Sequence, residues 1–258
     1  MSTTVSTTSR FLSALQAQGR LIFEGPHTVR KVGEAFLIRR EAEAMDYVKK
    51  NTSIPIPTVL RVHLDDASNG KSSWILMQRL SGLELGTAWP QMDDDARSET
   101  ICQLRSYLEQ LHRLRPATAV VGRIGSASGG PAWDHRLSNM STCGPFESVA
   151  EFHDFLVAPV RQCPRPELVA KYRSQLADTY DVCFAHADLS WENILVDVST
   201  GQIQGILDWE MAGFWPEWWE YRKALFGSRS QQWWRHILKE VMVERTRETE
   251  IDMELEMF

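Results

Sequence analysis

The sequence predicts an α+β fold in which short strands occupy the first third of the chain and helices most of the remainder. Up to about residue 80, short runs of β-branched and alternating apolar residues are separated by turn residues. From Asp93 onward, apolar residues recur at helical spacing. A chain of 258 residues can bury a large core, and it shows no internal repeat or domain linker. We therefore expect two lobes of one folded unit.

Composition narrows the class of protein. A net charge of −6 argues against nucleic acid or an anionic membrane as the main partner, because both attract basic surfaces. The start of the chain is polar, and no apolar run approaches the length of a membrane span. The cysteines are far apart with no C-x-x-C pair, so we expect neither a zinc site nor a disulfide framework: Cys102, Cys143, Cys163 and Cys183. We expect a cytoplasmic protein with reduced thiols, and we leave its oligomeric state open.

In the first third, we expect strands at residues 21–23, 28–32, 58–64 and 74–77, with a turn at 65–70. A helix is predicted at about residues 39–50. No G-x-G-x-x-G sequence is present, so a glycine-rich phosphate loop is not expected.

Lys31 lies in the second predicted strand, and two acids of the helix that follows are candidates to pair with it. In the helix that follows, Glu41 shares a face with Met45 and Val48, at positions i, i+4 and i+7, whereas Glu43 lies on another face. Glu41 is therefore the preferred acidic partner of Lys31. The alternative for Lys31 is a solvated strand lysine.

The remainder of the chain is mainly helical by pattern. A helix capped near Asp93 runs to Pro116, and others are expected at about 146–156, 167–179 and 216–227, the last with Pro216 at its start. Residues 122–145 are irregular and include His135, for which we expect a structural hydrogen-bonding role. The acidic residues 244–258 are predicted to be a frayed helix or tail.

Two acids at the start of the helix predicted at residues 216–227 have two readings. Glu217 and Glu220 lie at i and i+3. Either they stabilise the N-terminus of the helix electrostatically, which is the preferred interpretation, or they bind a cationic substrate.

The most informative stretch is H-A-D-L-S-W-E-N at residues 186–193 with its continuation D-W-E at 208–210. Two apolar runs around a Gly-containing turn predict a β-hairpin between them, whose open end brings Asn193 beside Asp208. Asn and Asp oxygens suit Mg²⁺ with bound phosphates, and Asp188, one short loop away, can orient a hydroxyl nucleophile. The alternative is a surface hairpin with ordinary turn residues.

Residues 186–225 resemble the catalytic and metal-binding segment of the aminoglycoside phosphotransferase and choline kinase-like family, especially its fungal branch. The run L-D-W-E-M-A-G at 207–213 is similar to that branch's I-D-W-E-M-A-G. Four positions depart from the family: Ala187 stands where glycine is usual, and residues 190–192 read S-W-E where H-P-R is common.

The resemblance implies a protein kinase-like two-lobe fold, with a small strand-rich N-lobe at residues 1–80 and a larger, mainly helical C-lobe at 81–258 of a single catalytic domain. It implies ATP and Mg²⁺ as cofactors. It further implies that Asp188 is the catalytic base and that Asn193 and Asp208 are the magnesium ligands.

The same resemblance bears on nucleotide contacts. It places the lysine–glutamate pair at Lys31 and Glu41, and it likens residues 78–82 to the hinge whose backbone contacts adenine. The carbonyl of Gln78 and the amide of Leu80 would make those contacts, the alternative being an ordinary strand exit.

These observations predict an enzyme that moves the γ-phosphate of ATP to a hydroxyl of a small molecule. One alternative is a catalytically silent kinase-like binding or scaffold protein, which the missing glycine loop and Glu192 favour. Another is reuse of the same fold for a different reaction on a small metabolite. The acceptor is not predicted by the sequence.

Overall fold

A computed structural model describes residues 20–65, 72–116, 122–138, 142–162, 167–227 and 231–257 of the chain. Its N-terminal part is a four-stranded antiparallel sheet with strand order β1-β2-β4-β3. The strands are β1 (Arg20–Phe23), β2 (Thr28–Gly33), β3 (Val59–His63) and β4 (Ser73–Gln78). The four predicted strands are confirmed with shifts of one residue at most ends. Most of the predicted turn at 65–70 lies outside the described residues.

Helix α1 (Ala35–Asn51) packs on this sheet and begins four residues earlier than predicted. Its buried apolar positions recur every three or four residues, as the sequence pattern requires: Leu37, Ile38, Ala44, Met45 and Val48. Two charged residues, Arg40 and Glu41, are buried on the same helix. Buried charges are costly unless they are paired, so both must find partners elsewhere in the fold.

The helical part begins with β5 (Leu83–Glu84), the single turn α2 (Leu85–Ala88), a 3-10 turn (Trp89–Gln91) and the long helix α3 (Asp94–Arg113). Asp93 caps α3 as predicted, since its carboxylate accepts a hydrogen bond from the Ala96 amide at 2.8 Å. Leu104, Leu108 and Leu111 lie on one face of α3 and are buried.

Two small antiparallel sheets carry the segments of greatest interest. The predicted hairpin is confirmed: β7 (Ile194–Val196) pairs with β8 (Ile203–Ile206), and β5 adds to β7. Strand β6 (Val182–Ala185) pairs with β9 (Gly213–Pro216). The expectation that Pro216 starts a helix is wrong. Pro216 ends β9 opposite Val182, a strand terminus where a missing backbone N–H is tolerated, and the helix starts three residues later.

The remaining helices are α4 (His135–Ser138), α5 (Val149–Val157), α6 (Glu167–Gln175), α7 (Trp219–Phe226), α8 (Gln232–Val241) and α9 (Thr246–Leu255), with a 3-10 turn at Ala158–Gln162 after α5. Helix α5 starts later than predicted because Ser148 caps it by accepting from the Glu151 amide. Helix α6 ends earlier than predicted, at Gln175.

The acidic C-terminal end is not the predicted frayed helix or tail. Helix α9 buries Ile251 and Leu255, and its Asp252 accepts charged hydrogen bonds from Arg136 and Arg222. These long-range partners turn an acidic, apparently solvated pattern into a packed element.

The largest fully buried side chains are aromatic and concentrate around β9, α7 and α8: Trp209, Trp215, Trp218, Trp219 and Trp234. Trp209 packs edge-on to His186 of the loop that follows β6, with ring centroids 4.6 Å apart, so this loop contacts the aromatic core. Within the described ranges, no helix combines the length and apolar character needed to cross a bilayer.

Candidate active site

His186 opens the loop after β6 and is fully buried. Its Nε2 lies 2.8 Å from the Leu207 carbonyl oxygen, which can only accept, so Nε2 carries the proton. Nδ1 is then free to accept the Asp188 amide at 3.2 Å. Burial lowers the pKa of His186 to about 4, so the ring is neutral at neutral pH. Its two hydrogen bonds connect the loop to Leu207 at the end of β8.

Glu220 of α7 holds the next part of this loop. One of its carboxylate oxygens accepts hydrogen bonds from the backbone amides of His186 and Ala187. Ala187, where glycine is usual in the family, adopts a left-handed backbone with φ of 60°. Neither earlier reading of Glu220, helix-start electrostatics or a grip on a cationic substrate, describes this contact. Its neighbour Glu217 instead pairs with Arg245 at 3.0 Å.

Asp188 is half-buried at the apex of the loop. Burial raises the pKa of its carboxyl to about 7, and the positive charge of Lys223 opposes that rise. A carboxyl with a pKa near neutral is suited to accept a proton during a reaction.

The hairpin brings Asn193 and Asp208 to its open end, as the two apolar runs around the turn predicted. The Leu207 amide donates to the Asn193 carbonyl at 2.8 Å, and the Asn193 side-chain amide donates to the Asp188 carbonyl at 2.9 Å. Asp208 follows β8 with a left-handed φ of 64°, and its side chain is 37% exposed. The three polar positions predicted from the motif therefore converge on one end of the hairpin.

Lys31 of β2 reaches this end from the four-stranded sheet. Its ammonium lies 2.9 Å from a Glu41 carboxylate oxygen and 2.7 Å from Asp208 Oδ1. The structure thus places Glu41 beside Lys31, whereas Glu43 accepts a hydrogen bond from Ser128. Burial alone would lower the pKa of Lys31, but the surrounding carboxylates outweigh it and hold that pKa well above its usual value.

Glu210 is a site residue that the sequence reasoning missed. It accepts a hydrogen bond from the Lys31 ammonium at 2.9 Å, and both side chains are buried. Oxygens of Glu41, Asp208 and Glu210 all lie within 4.8 Å of one another, with Lys31 contacting each acid. The available signal was the acid two residues after Asp208, in the D-W-E run at 208–210.

The predicted hinge begins at Gln78, the last residue of β4. Gln78 pairs with Thr28 in the sheet register, and its amide donates to the Thr58 carbonyl at 2.9 Å. The Leu80 side chain packs over Gly205 of β8, where an added Cβ would lie 2.2 Å from Leu80 Cδ1. Residues 78–80 therefore pass directly beside the hairpin that carries Asn193 and Asp208.

The irregular stretch 122–145 contributes one partner of a second buried ion pair near the loop. Asp134 is fully buried and accepts from the Lys223 ammonium at 2.9 Å and from the Trp219 indole at 3.2 Å. His135 packs edge-on to Trp133, and its Nε2 lies 3.8 Å from a Glu210 carboxylate oxygen, longer than a hydrogen bond. The expected hydrogen-bonding role of His135 is therefore not met by Glu210.

Comparisons with known proteins agree with this architecture. The model of the phosphotransferase enzyme family matches residues 14–246. The aminoglycoside 3'-phosphotransferase of Streptomyces ribosidificus is 22% identical over 195 residues, which cover 73% of this chain and 67% of that protein.

Solved structures are also similar. The GDP complex of aminoglycoside 2'-phosphotransferase-IIIa superposes with a TM-score of 0.61 at 16% identity, covering 93% of this chain and 78% of that one. A mutant of aminoglycoside phosphotransferase APH(4)-Ia with ADP and hygromycin B gives 0.53 at 16% identity, covering 98% and 88%. The predicted kinase-like α+β fold is confirmed by these likenesses. Because the family model spans most of the sequence, the chain belongs to the phosphotransferase enzyme family.

Proposed function

We propose that the protein transfers the γ-phosphate of ATP, bound with Mg²⁺, to a hydroxyl of a small molecule. The observation that carries this proposal is the convergence of Asp188, Asn193 and Asp208 at one end of the hairpin, beside Lys31. Family membership supports phosphoryl transfer as the reaction class.

Asn193 and Asp208 are the proposed magnesium ligands. Their amide and carboxylate oxygens are hard donors, and the half-exposed Asp208 side chain can take a ligand from solvent. When bound, Mg²⁺ neutralises charge on the phosphate oxygens. Lys31, oriented by Glu41, would contact the phosphate chain, and the Gln78 carbonyl and Leu80 amide would contact the base.

Asp188 is the proposed base for the acceptor. The acceptor oxygen forms a bond to the γ-phosphorus while the bond from that phosphorus to the bridging oxygen of ADP breaks, and the acceptor proton passes to the Asp188 carboxylate. A pKa raised to about 7 fits this task. The hydrogen bonds that His186, Asn193 and Glu220 make with loop backbone would hold the loop that carries Asp188 in position for the reaction.

The acceptor is proposed only by class. The similar proteins are named for aminoglycosides, one of them solved with hygromycin B, and all of those are polyhydroxylated small molecules. We propose a hydroxylated small molecule here too, and a cytoplasmic setting. The described cysteines are free thiols, and burial raises the pKa of Cys143 and Cys183 to about 12.

The test is consumption of ATP by purified protein in the presence of Mg²⁺ and a panel of hydroxylated metabolites and aminoglycosides. We expect transfer to at least one acceptor. Magnesium-dependent ATP binding without transfer to any acceptor or to water would favour the silent binding protein instead. Absence of both binding and turnover would contradict the proposal.

A further inference from the structure

Four buried charged side chains meet where α1 faces the segment that follows β8. Lys31, Arg40, Glu41 and Glu210 are 7%, 4%, 2% and 6% exposed. Two cations balance two acids, so the group is neutral as a set. We call these four residues the clasp. Asp208, with a 37% exposed side chain, is the additional acid beside it.

Arg40 joins α1 to two other segments. Its Nε donates to the Glu210 carbonyl at 3.2 Å and its Nη2 to the Ala212 carbonyl at 3.1 Å, while its Nη1 donates to the Pro131 carbonyl. Burial lowers the pKa of Arg40 to about 10, which still leaves the guanidinium charged at neutral pH. The backbone of Glu210 is therefore fixed by the residue adjacent to Glu41.

The side chain of Glu210 completes the clasp through Lys31. The ammonium makes well-directed hydrogen bonds to Glu210 at 2.9 Å and to Asp208 at 2.7 Å. Its contact with Glu41 has ion-pair distance, but the Glu41 Oε2 atom lacks hydrogen-bond geometry. Glu210 is thus the buried acid with the better-oriented bond to Lys31.

We propose that the clasp positions Lys31 so that Asp208 stays available to a divalent cation, with Glu210 and Arg40 as positioning residues. This inference rests on the proposed function. With two buried acids, Lys31 keeps its charge balanced when Asp208 turns to the cation. Without Glu210, Asp208 becomes the best-directed remaining partner of Lys31, and ammonium and cation compete for one carboxylate.

The experiment measures the magnesium requirement of ATP binding without any acceptor. The melting temperature is followed as Mg²⁺ is titrated at an ATP concentration that saturates each variant. For Glu210→Gln, which keeps size but removes the charge, we expect the half-saturating Mg²⁺ concentration to rise about 10–100-fold, as for lost outer partners of a metal ligand. Glu43→Gln, a change at an acid of α1 whose carboxylate accepts a hydrogen bond from Ser128, should match the wild type.

The double variant Lys31→Met/Glu210→Gln shows whether Glu210 acts by positioning Lys31 or by binding the cation itself. Removal of the competing ammonium should return the magnesium requirement toward the wild-type value, and Arg40 and Glu41 remain as a balanced pair. A double variant that stays as weak as Glu210→Gln would overturn the inference, because Glu210 would then act on the cation itself. A Glu210→Gln variant equal to wild type would overturn it as well.

Arg40→Lys tests the anchor, since a lysine keeps the charge but cannot donate to three carbonyls at once. We expect its magnesium requirement to rise relative to Arg39→Lys, a change at the exposed neighbour. Equal values would contradict the role of Arg40. If Arg40→Lys does not fold, Glu210→Gln alone decides the question. A wild type without any magnesium-dependent ATP binding would instead contradict the proposed function.

Discussion

The Lys31 ammonium is held by the carboxylates of other side chains, whereas the loop around Asp188 is held by side chains that bond to backbone. The Lys31 ammonium contacts three carboxylates, and no backbone atom fixes it directly among the described contacts. Such ion pairs can exchange partners when a phosphate or cation arrives. This region is therefore suited to bind charge.

The Asp188 region is fixed in the opposite way. His186 donates to the Leu207 carbonyl, Asn193 donates to the Asp188 carbonyl, and Glu220 accepts from two loop amides. These bonds define the path of the loop and leave the Asp188 carboxylate unconstrained by them. The contrast indicates that changes around Lys31 should alter binding, whereas changes at Asp188 should alter rate.

Asp188→Asn is the most direct test of this contrast between effects on binding and effects on rate. The side chain keeps its size, so ATP–magnesium affinity should stay nearly unchanged. Transfer to the acceptor should fall about 10²–10⁴-fold, because the base is lost. Steady-state kinetics and calorimetric ATP binding on the same preparations check both halves of the expectation. An active wild type whose variant turns over at the same rate would contradict the assignment.

The pH profile supplies the control for this substitution. A base must be ionised to accept a proton, and burial raises the pKa of Asp188 to about 7. The wild-type kcat/KM should therefore rise with pH on the acid side and level off above about pH 7. Asp188→Asn should lose that limb. A limb that persists in the variant belongs to another group.

Asp208→Ala tests the binding side of the comparison. ATP at about 100 times its Kd adds about 2.7 kcal/mol to the free energy of unfolding, which should raise the wild-type melting temperature by several degrees in the presence of Mg²⁺. The variant should lose this magnesium-dependent rise. Because Asp208 has φ of 64°, Asp208→Asn is a second variant that tolerates the backbone better. Asp197→Ala, at a half-buried acid in the turn of the same hairpin, should keep the rise.

Lys31→Ala and Glu41→Ala should each weaken ATP binding or slow turnover, the second through poorer lysine orientation. Since the two residues act as one unit, the double variant should cost less than the sum of the single ones, by about 0.5–3 kcal/mol. Glu210 also holds Lys31, so Glu41→Ala should be the milder single change. Full additivity in a double-mutant cycle would show that Lys31 and Glu41 are not partners.

Local sequence patterns predicted those parts of the site whose geometry depends on residues close together in the sequence. Two apolar runs around a turn predicted the hairpin, and helical periodicity favoured Glu41 over Glu43 as the acid beside Lys31. Both depend on backbone geometry within about 20 residues, which period and turn chemistry encode.

Long-range polar contacts were not predictable in the same way. Glu220 bonds the loop amides, and Asp134 pairs with Lys223 from 89 positions away. Acids and lysines in a sequence are typical of solvated surface, and only the tertiary fold buries them together. The prediction that Pro216 begins a helix was wrong for a related reason, because strand pairing with Val182 overrode the local preference of proline for a helix start.

The smallest expected effect concerns the hairpin that connects the two regions. Gly201 in its turn has φ of 72°, and a Cβ there would lie 1.9 Å from the Ala96 carbonyl oxygen of α3. Thr100 of α3 also donates to the Gly201 carbonyl at 2.7 Å. Gly25 has a similar φ of 79° but no atom within 4 Å of an added Cβ, which makes it a matched control.

Gly25→Ala should therefore show only the backbone cost of a left-handed alanine, about 1–2 kcal/mol. Gly201→Ala should add about 1–3 kcal/mol of steric cost, because the hairpin must move away from α3. At roughly 2–4 °C per kcal/mol, its melting temperature should lie several degrees below that of Gly25→Ala. Calorimetry on both variants checks this. Equal melting temperatures would show that the hairpin, and with it Asn193 and Asp208, does not depend on its contact with α3.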